Sequence, residues 1–588
     1  MPEITTRAQM RQQVIAPLIK RGALTEAIEA AHTLLRMHPG NPEDHALLAS
    51  LYGRSKRWDE AIHHADAGGA LTGAQMTVHA ARIKLRLQAG RWAEAAQVAR
   101  DTLDEARLAS AECAAWTMAW VTALLRAGDV ALAVSLVEGL DPRRYGDART
   151  AALCMQALLA GGSRAKALEM GLAALQAGWD GAALRSQLAQ AYLAGGLRDQ
   201  GLEQALVHLQ EGVRLAPQDV RLNSLYGETL LRAGRSEAAV PFLRASSERE
   251  PALQHTRAMY ARALRDSGMH TEAADQFLIL RSQAEQSGRW DRYAVSALSQ
   301  AGRKAEAIAL HQASLASRES RLPDCFQAAL AALEARADTV HIPQARLDWA
   351  WTLRGGKSNL SRQAWERAVY WGHRVDHLML DWLELRSDRA HEVMALLDNL
   401  DEVDEFLAPL IASGRGVVVA TAHIGPMFAG PMIIELLGIR ARWLASTPSV
   451  TQSAHAATLI STSDQSEVRV AKACFDALKQ GCFVGLAVDG AANVAAPRIA
   501  FEGQEITYSS FASRAAYRMQ VPSIFYAPYW RDGRIALTLA HLPAVEAGED
   551  ANAYARRWQQ AYLEQVRRHL CGAPESLRAS GGLWRHVR

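Results

Sequence analysis

Paired cysteines, a long apolar run and an excess of either charge are all missing from this sequence. The six cysteines (Cys113, Cys154, Cys325, Cys474, Cys482 and Cys571) are scattered without a C-x-x-C pair, so neither a disulfide framework nor a zinc ribbon is indicated, no metal site is expected, and a reducing cytoplasm fits. Residues 1–20 set Glu3, Arg7, Arg11 and Lys20 among apolar ones, which breaks the apolar core that a signal peptide needs. No run of roughly 18 apolar residues occurs, so no spanning helix is expected. Lys plus Arg number 65 against 62 Asp plus Glu, a net charge of +3, which gives no electrostatic case for nucleic acid. Only 19 of 588 residues are proline and 49% are hydrophobic, excluding a disordered or collagen-like chain. What remains is a folded, soluble or peripheral protein with more than one core, since the length is roughly three times that of a typical domain.

The first half is periodic. RGALTEAI, RWDEAI, GRWAEAA, GDVALAV, GGSRAKAL, GGLRDQGL, GRSEAAV, GMHTEAA and GRKAEAI recur, and the small residue after the Glu-like position aligns as Ala27, Ala61, Ala95, Ala133, Ala167, Gly201, Ala238, Ala273 and Ala307. Successive differences are 34, 34, 38, 34, 34, 37, 35 and 34. Glycines Gly90, Gly128, Gly162, Gly234, Gly268 and Gly302 end the first helix of each unit, where a left-handed cap suits a residue without Cβ, and the three- and four-residue excesses are expected in loops. The 34-residue period with small residues at fixed offsets resembles the tetratricopeptide repeat. The resemblance covers residues 10–335, about nine repeats, and Pro39, Pro217 and Pro251 fall near its inter-repeat turn. It implies an all-α solenoid that docks a protein partner, or else a rigid spacer or dimerisation element. His63 and His64 read as surface histidines, and Trp58 and Trp92, 34 residues apart, as packing residues.

Past about Ala335 the period stops, and residues 345–588 alternate strand-like with helix-like segments. GVVVATA, RWLAS, CFVGLAVD, RIAF, SIFYAPYW and RIALTLAHL read as strands. PMFAGPMIIELLG, SEVRVAKACFDALKQ, SSFASRAAYRMQ and ANAYARRWQQAYLEQVRRHL read as helices. The expected fold is thus multidomain, a repeat solenoid followed by an α/β domain whose ligands sit beyond strand carboxyl ends. The strand ending at Thr421 leads into His423 and Gly425 and then into a helix with Pro426 in its first turn. An imidazole beside a helix N-terminus suits acyl transfer: it takes a proton from an attacking hydroxyl while N–H groups hold the oxyanion. No G-x-S-x-G elbow is present, and Tyr508, Ser509 and Ser510 mark a helix start rather than a nucleophile.

The segments SNLSRQAWERAVYWGHRVDHLMLDWLEL, GRGVVVATAHIGPM, DALKQGCFVGLAVDGAANVAAPRIAFEG and the closing LWRHVR together resemble the bacterial lauroyl/myristoyl acyltransferases of lipid A biosynthesis. That resemblance implies an acyltransferase-like α/β fold over residues 345–588, with His423 as catalytic base. It also implies Asp489 after a strand, a Phe-x-Gly segment at Phe501 and Gly503, and a W-x-H-x-R close at Trp584, His586 and Arg588. The family's H-x-x-x-x-[DE] acid falls on Phe428 and is absent, and a solenoid stands where the family carries a membrane segment. Asp489, Glu502 or a backbone carbonyl are the candidates to orient the imidazole, with Asp489 favoured. Glu435, two turns along the expected helix, is a poor substitute. Gly425, Arg498, Phe501 and Gly503 are the expected substrate-binding positions.

The resemblance implies an acyl donor, acyl carrier protein or acyl-CoA, acting as co-substrate with no further cofactor. It implies a glycolipid or envelope polysaccharide hydroxyl as acceptor, and peripheral contact with the cytoplasmic face of the inner membrane. The competing expectation is an inactive acyltransferase-like fold that binds lipid or scaffolds envelope assembly, for which Phe428 is the argument.

Overall fold

The structure, a computed structural model, describes residues 6–587 except 73–75, 105–113, 139–146, 195–198, 284–287, 335–340, 355–358, 428–429, 431–436, 451–455 and 491–496. It divides into two compact units, Met1–Thr229 and Leu230–Arg588.

Unit one is built of helix-turn-helix repeats, such as Pro42–Arg54 with Trp58–Thr72 and Ala148–Ala160 with Arg164–Gln176. The turn between paired helices is taken at positive φ by Gly90 (+75°), Gly128 (+84°) and Gly162 (+77°), with Lys56 (+57°) in the same place one repeat earlier. Five residues on, Ala27, Ala61, Ala95, Ala133 and Ala167 are all fully buried, because a larger side chain would push the paired helices apart. The same pattern continues into unit two at Ala273 and Ala307, but between them and unit one the sequence alignment slips by one residue. Ala238 is exposed, and it is Ala239 that is fully buried, five residues after Gly234 (φ +72°). The three-residue excess after Gly201, four when counted to Ala239, lies in a helix rather than a loop: Asp199–Leu215 runs 17 residues where Ser236–Arg249 and His270–Gln283 run 14, about one extra turn. The excess between Ala95 and Ala133 lies outside the described residues.

Two side-chain readings are corrected. His64 is buried, with its Nδ1 3.1 Å from Nδ1 of His45, since the helix turns it inward while His63 stays exposed. Trp92 is 42% exposed and lies under the Arg126 guanidinium at 5.2 Å rather than in the core.

Unit two holds the last repeats and the α/β region. Its sheet has strand order β3-β2-β4-β1-β7-β8, where β1 is Val417–Thr421, β2 Ala441–Ala445, β3 Leu459–Ser461, β4 Phe483–Ala487, β7 Ser523–Arg531 and β8 Arg534–His541. All neighbours pair in parallel except β7 with β8. The central strand β1 is buried throughout, which explains its unbroken apolar run. Alternate residues serve two cores: Val418, Ala420, Val484 and Leu486 join Trp365, Trp558 and Tyr562 on one face, and Val417, Val419 and Phe483 join Trp382, Leu407 and Phe326 on the other. Phe326 comes from Phe326–Glu334, so the end of the periodic region is part of the sheet's core. The segment RIAF lies outside this sheet; with Gln504–Thr507 (β6), Arg498–Phe501 (β5) makes a separate antiparallel hairpin. Strands β3 and β6 were not legible in the sequence. Among the described residues no helix is long and apolar enough to cross a membrane.

Candidate functional site

Because β1, β2, β3 and β4 are parallel, their carboxyl ends share one edge of the sheet. His423 follows β1 by two residues and Asp489 follows β4 by two, and the register Thr421↔Ala487 sets the two side by side. Asp489 Oδ1 lies 2.9 Å from Nδ1 of His423, and the His423 backbone N–H donates to the same carboxylate at 3.0 Å. A third donor comes from the far end of the chain, where the Leu583 N–H reaches Asp489 Oδ2 at 2.9 Å. Burial pushes the Asp489 carboxyl up, but the His423 ring, its hydrogen bond and the two backbone N–H groups outweigh that and hold it below the usual range.

The carboxylate fixes the tautomer: Nδ1 carries the proton and donates to Asp489, which leaves the Nε2 lone pair to accept one. Nε2 has no hydrogen-bond partner among the described residues, and the His423 side chain is 17% exposed while that of Asp489 is 2% exposed. This is a base with its orienting acid buried behind it. Among the described residues no group of His, Cys, Asp and Glu side chains is arranged to hold a metal ion.

The surroundings lock this pair. Trp584 Nε1 donates to the His423 carbonyl at 2.9 Å and Thr507 Oγ1 to the Asp489 carbonyl at 2.6 Å. The buried Tyr562 hydroxyl donates to the Thr421 carbonyl at 3.0 Å. Gly582 packs so closely that a Cβ would lie 2.2 Å from Asp489 Oδ2 and 2.3 Å from His423 Nδ1. The signal for these contacts was the closing LWRHVR motif, from which Trp584 could be read but not the Leu583 N–H or Gly582, since backbone donors and glycine clearances have no side chain to mark them.

The remaining expected positions are not all at the pair. Gly425 is two residues from His423 at φ +64°, where a Cβ would fall 1.7 Å from the Pro528 carbonyl oxygen. Its N–H donates to the Ser576 carbonyl at 2.6 Å, so that N–H is taken. Residues 423–427 are not helical, Pro426 included, and Phe428 and Glu435 lie outside the described residues. Phe501 is buried against Trp349. Gly503, at φ +77°, turns the β5–β6 hairpin, and Arg498 opens β5. Glu502 pairs with Arg567 at 2.8 Å, which leaves Asp489 as the carboxylate on His423. The side chains of His586 and Arg588 are outside the described residues.

No family model matches the chain. Among solved structures, a tetratricopeptide repeat protein from Parabacteroides merdae is 14% identical, covering 44% of this chain and 98% of its own at a TM-score of 0.34. MamA AMB-1 is 22% identical, covering 28% of this chain and 94% of its own at a TM-score of 0.23. The Vi polysaccharide export protein VexE of Salmonella typhi is 35% identical over 581 residues, spanning 99% of this chain and 88% of that protein. With repeats and α/β region both inside that match, the chain belongs to the VexE family.

Proposed function

We propose that this protein transfers a fatty acyl group from an acyl thioester, on acyl carrier protein or coenzyme A, to a hydroxyl of a glycolipid or envelope polysaccharide precursor. The observation that carries the reading is the Asp489–His423 pair, with Nδ1 held at 2.9 Å and Nε2 facing outward at the carboxyl edge of a parallel sheet. Nε2 accepts the proton of the acceptor hydroxyl as the oxygen attacks the thioester carbonyl. The tetrahedral intermediate expels the thiolate, which takes that proton back from the imidazolium, leaving an ester and a free thiol. Asp489 stabilises the imidazolium between the two transfers. It thereby does from β4 what the acid missing at Phe428 does in the resembling acyltransferases.

The name of the VexE relative links it to export of a polysaccharide, which suits an acceptor in envelope polysaccharide assembly. A long-chain product needs a lipid phase, and peripheral contact with the cytoplasmic face of the inner membrane supplies it. The repeats dock a protein partner.

Purified protein incubated with acyl-carrier-protein thioesters and a lipid extract, followed by mass spectrometry, should show an acyl mass added to a glycan-bearing acceptor. His423→Ala should abolish it. If wild-type protein neither transfers nor hydrolyses any acyl thioester, the pair is a relic and the fold acts by binding.

A further inference from the structure

After the last long helix, Ala551–Leu570, the chain runs back to the His423–Asp489 pair as a strap, which ends on the pair through the Leu583 N–H and Trp584 Nε1. Anchors hold the strap along the way. Three come from one side of the helix Arg362–Leu385. Gly372 lies against the strap so closely that a Cβ would fall 1.8 Å from the Glu575 carbonyl oxygen. His373 Nδ1 donates to the Arg578 carbonyl at 2.5 Å, and the Asp376 carboxylate lies 3.1 Å from Arg578 Nε. Arg346 Nη1 then donates to the Ala579 carbonyl at 2.9 Å.

The Arg578–Asp376 contact differs from the others, because it withdraws two charges from water: the side chains are 12% and 1% exposed. A buried ion pair adds little stability over an apolar pair of similar volume, yet it tolerates few geometries. The same guanidinium reaches Met427, with Nη1 2.9 Å from its Sδ. Met427 belongs to the loop leaving His423, whose Gly425 N–H is held by the strap's Ser576 carbonyl at 2.6 Å. One side chain thus ties together the helix, the strap and the loop after the histidine. Three residues further on, a Cβ at Gly581 would lie 2.7 Å from Cδ2 of the His423 ring, and at Gly582 2.3 Å from its Nδ1. With clearances this small, a strap displaced by about an ångström would strike the imidazole or take the Leu583 N–H off Asp489.

We propose that Arg578 and Asp376 are positioning residues for His423: their ion pair sets the strap at the register that seats Gly581 and Gly582 against the imidazole and the Leu583 N–H on Asp489. Neither side chain touches the reacting atoms, and both act through the ring. The effect on turnover rests on the acyl-transfer reading; the effect on the geometry of the pair does not.

Two variants of the full chain test it. Asp376→Leu with Arg578→Met leaves no charge buried alone, so it should melt close to wild type; Arg578→Lys keeps a cation facing Asp376. Proton NMR reads the His423 Nδ1–H, bonded to a buried carboxylate, as a resonance downfield of the amides that disappears in His423→Ala. The double variant should lose or shift that resonance. Its kcat should fall about 10- to 100-fold, the scale of a small misplacement of reacting groups, with KM little changed. Arg578→Lys should keep the resonance and most of kcat. A resonance retained in both variants, or lost in both, overturns the ion pair as the anchor. If the resonance responds as expected in a protein that transfers no acyl group, the acyl-transfer reading fails and the anchor stands. If wild-type protein transfers and the double variant matches it in resonance and kcat, the anchor fails and the acyl-transfer reading stands.

Discussion

A carboxylate held by three N–H donors inside a core acts through the ring it orients, so His423 and Asp489 should fail together. His423→Ala removes the base and should reduce acyl transfer to background. Asp489→Asn offers Nδ1 a wrong partner and should lower kcat on the order of 10^3- to 10^4-fold, the scale seen for orienting acids in hydrolytic triads. The double variant should be little worse than His423→Ala alone, because residues that act as one unit are not additive. Gly582→Ala probes the support without touching substrate. Its methyl group would fall 2.2–2.3 Å from both partners and should cost activity nearly as fully as Asp489→Asn, whereas Gly503→Ala, whose Cβ would meet nothing within 4 Å, should not. Steady-state kinetics on variants with matched circular dichroism checks all five. An active Gly582→Ala protein would show that the C-terminal segment does not hold the pair.

Among the elements, the repeats depend on one buried small residue each, and this makes the register testable. Ala239 is fully buried and Ala238 is exposed, although they are adjacent on the helix Ser236–Arg249. Ala239→Leu should destabilise by about 1–3 kcal/mol through overpacking between paired helices, while Ala238→Leu should stay within about 0.5 kcal/mol. Urea midpoints distinguish the two, and equal effects would place the helix a residue out of register. Gly302, at φ +77° with open space around its Cβ position, offers a different probe. Gly302→Ala should cost about 1 kcal/mol from backbone conformation alone.

For the whole molecule, compactness and periodicity divide the chain at different places. The period ends near 335, but the compact unit begins at Leu230, because Phe326 and Ala329 share a core with Trp382 and Val419. Arg318 also bridges to Asp381 and to Glu384. A fragment of residues 230–588 should therefore melt cooperatively and above a fragment of residues 345–588, whose core lacks Phe326 and Ala329; equal melting would show the repeats to be dispensable to that core. Acid should weaken both units for a shared reason. Burial holds the imidazoles of His377 and His569 at about 3 and about 4 in unit two, with the nearby His373, Arg578, Arg292 and Arg318 adding to the effect at His377. Burial with the neighbouring His45, His32 and His63 holds His64 at about 4 in unit one. These values lie below the ordinary value near 6.5, so the unfolded chain takes up protons first. Stability is full above about pH 6.5 and falls as pH drops toward 4 and 3. Asp489, also below its ordinary range, adds a further loss only as pH falls beneath about 3.9. Urea midpoints between pH 7 and 4.5 should decline steadily, and a flat profile would contradict buried neutral histidines.

The repeat period, the glycine turns and the buried strand at 417–421 were legible in the sequence because each is a local rule: a helix period, a left-handed cap and a strand covered on both faces. His423 and Asp489 were each visible as residues that follow strands. Their pairing was a choice among candidates, since nothing local relates positions 66 apart, and only the parallel register of β1 with β4 decided it. The same limit hid Gly582 and the Leu583 N–H, which reach the pair from the far end of the chain, and the contact of Arg292 with Ser446 past β2. It also hid the inward turn of His64 and the one-residue slip at Ala239, where two adjacent alanines read alike until packing separates them. Local pattern fixes backbone geometry within a few residues. Which side chains meet across a sheet edge depends on strand order and helix stacking, and those are settled by burial of the whole core.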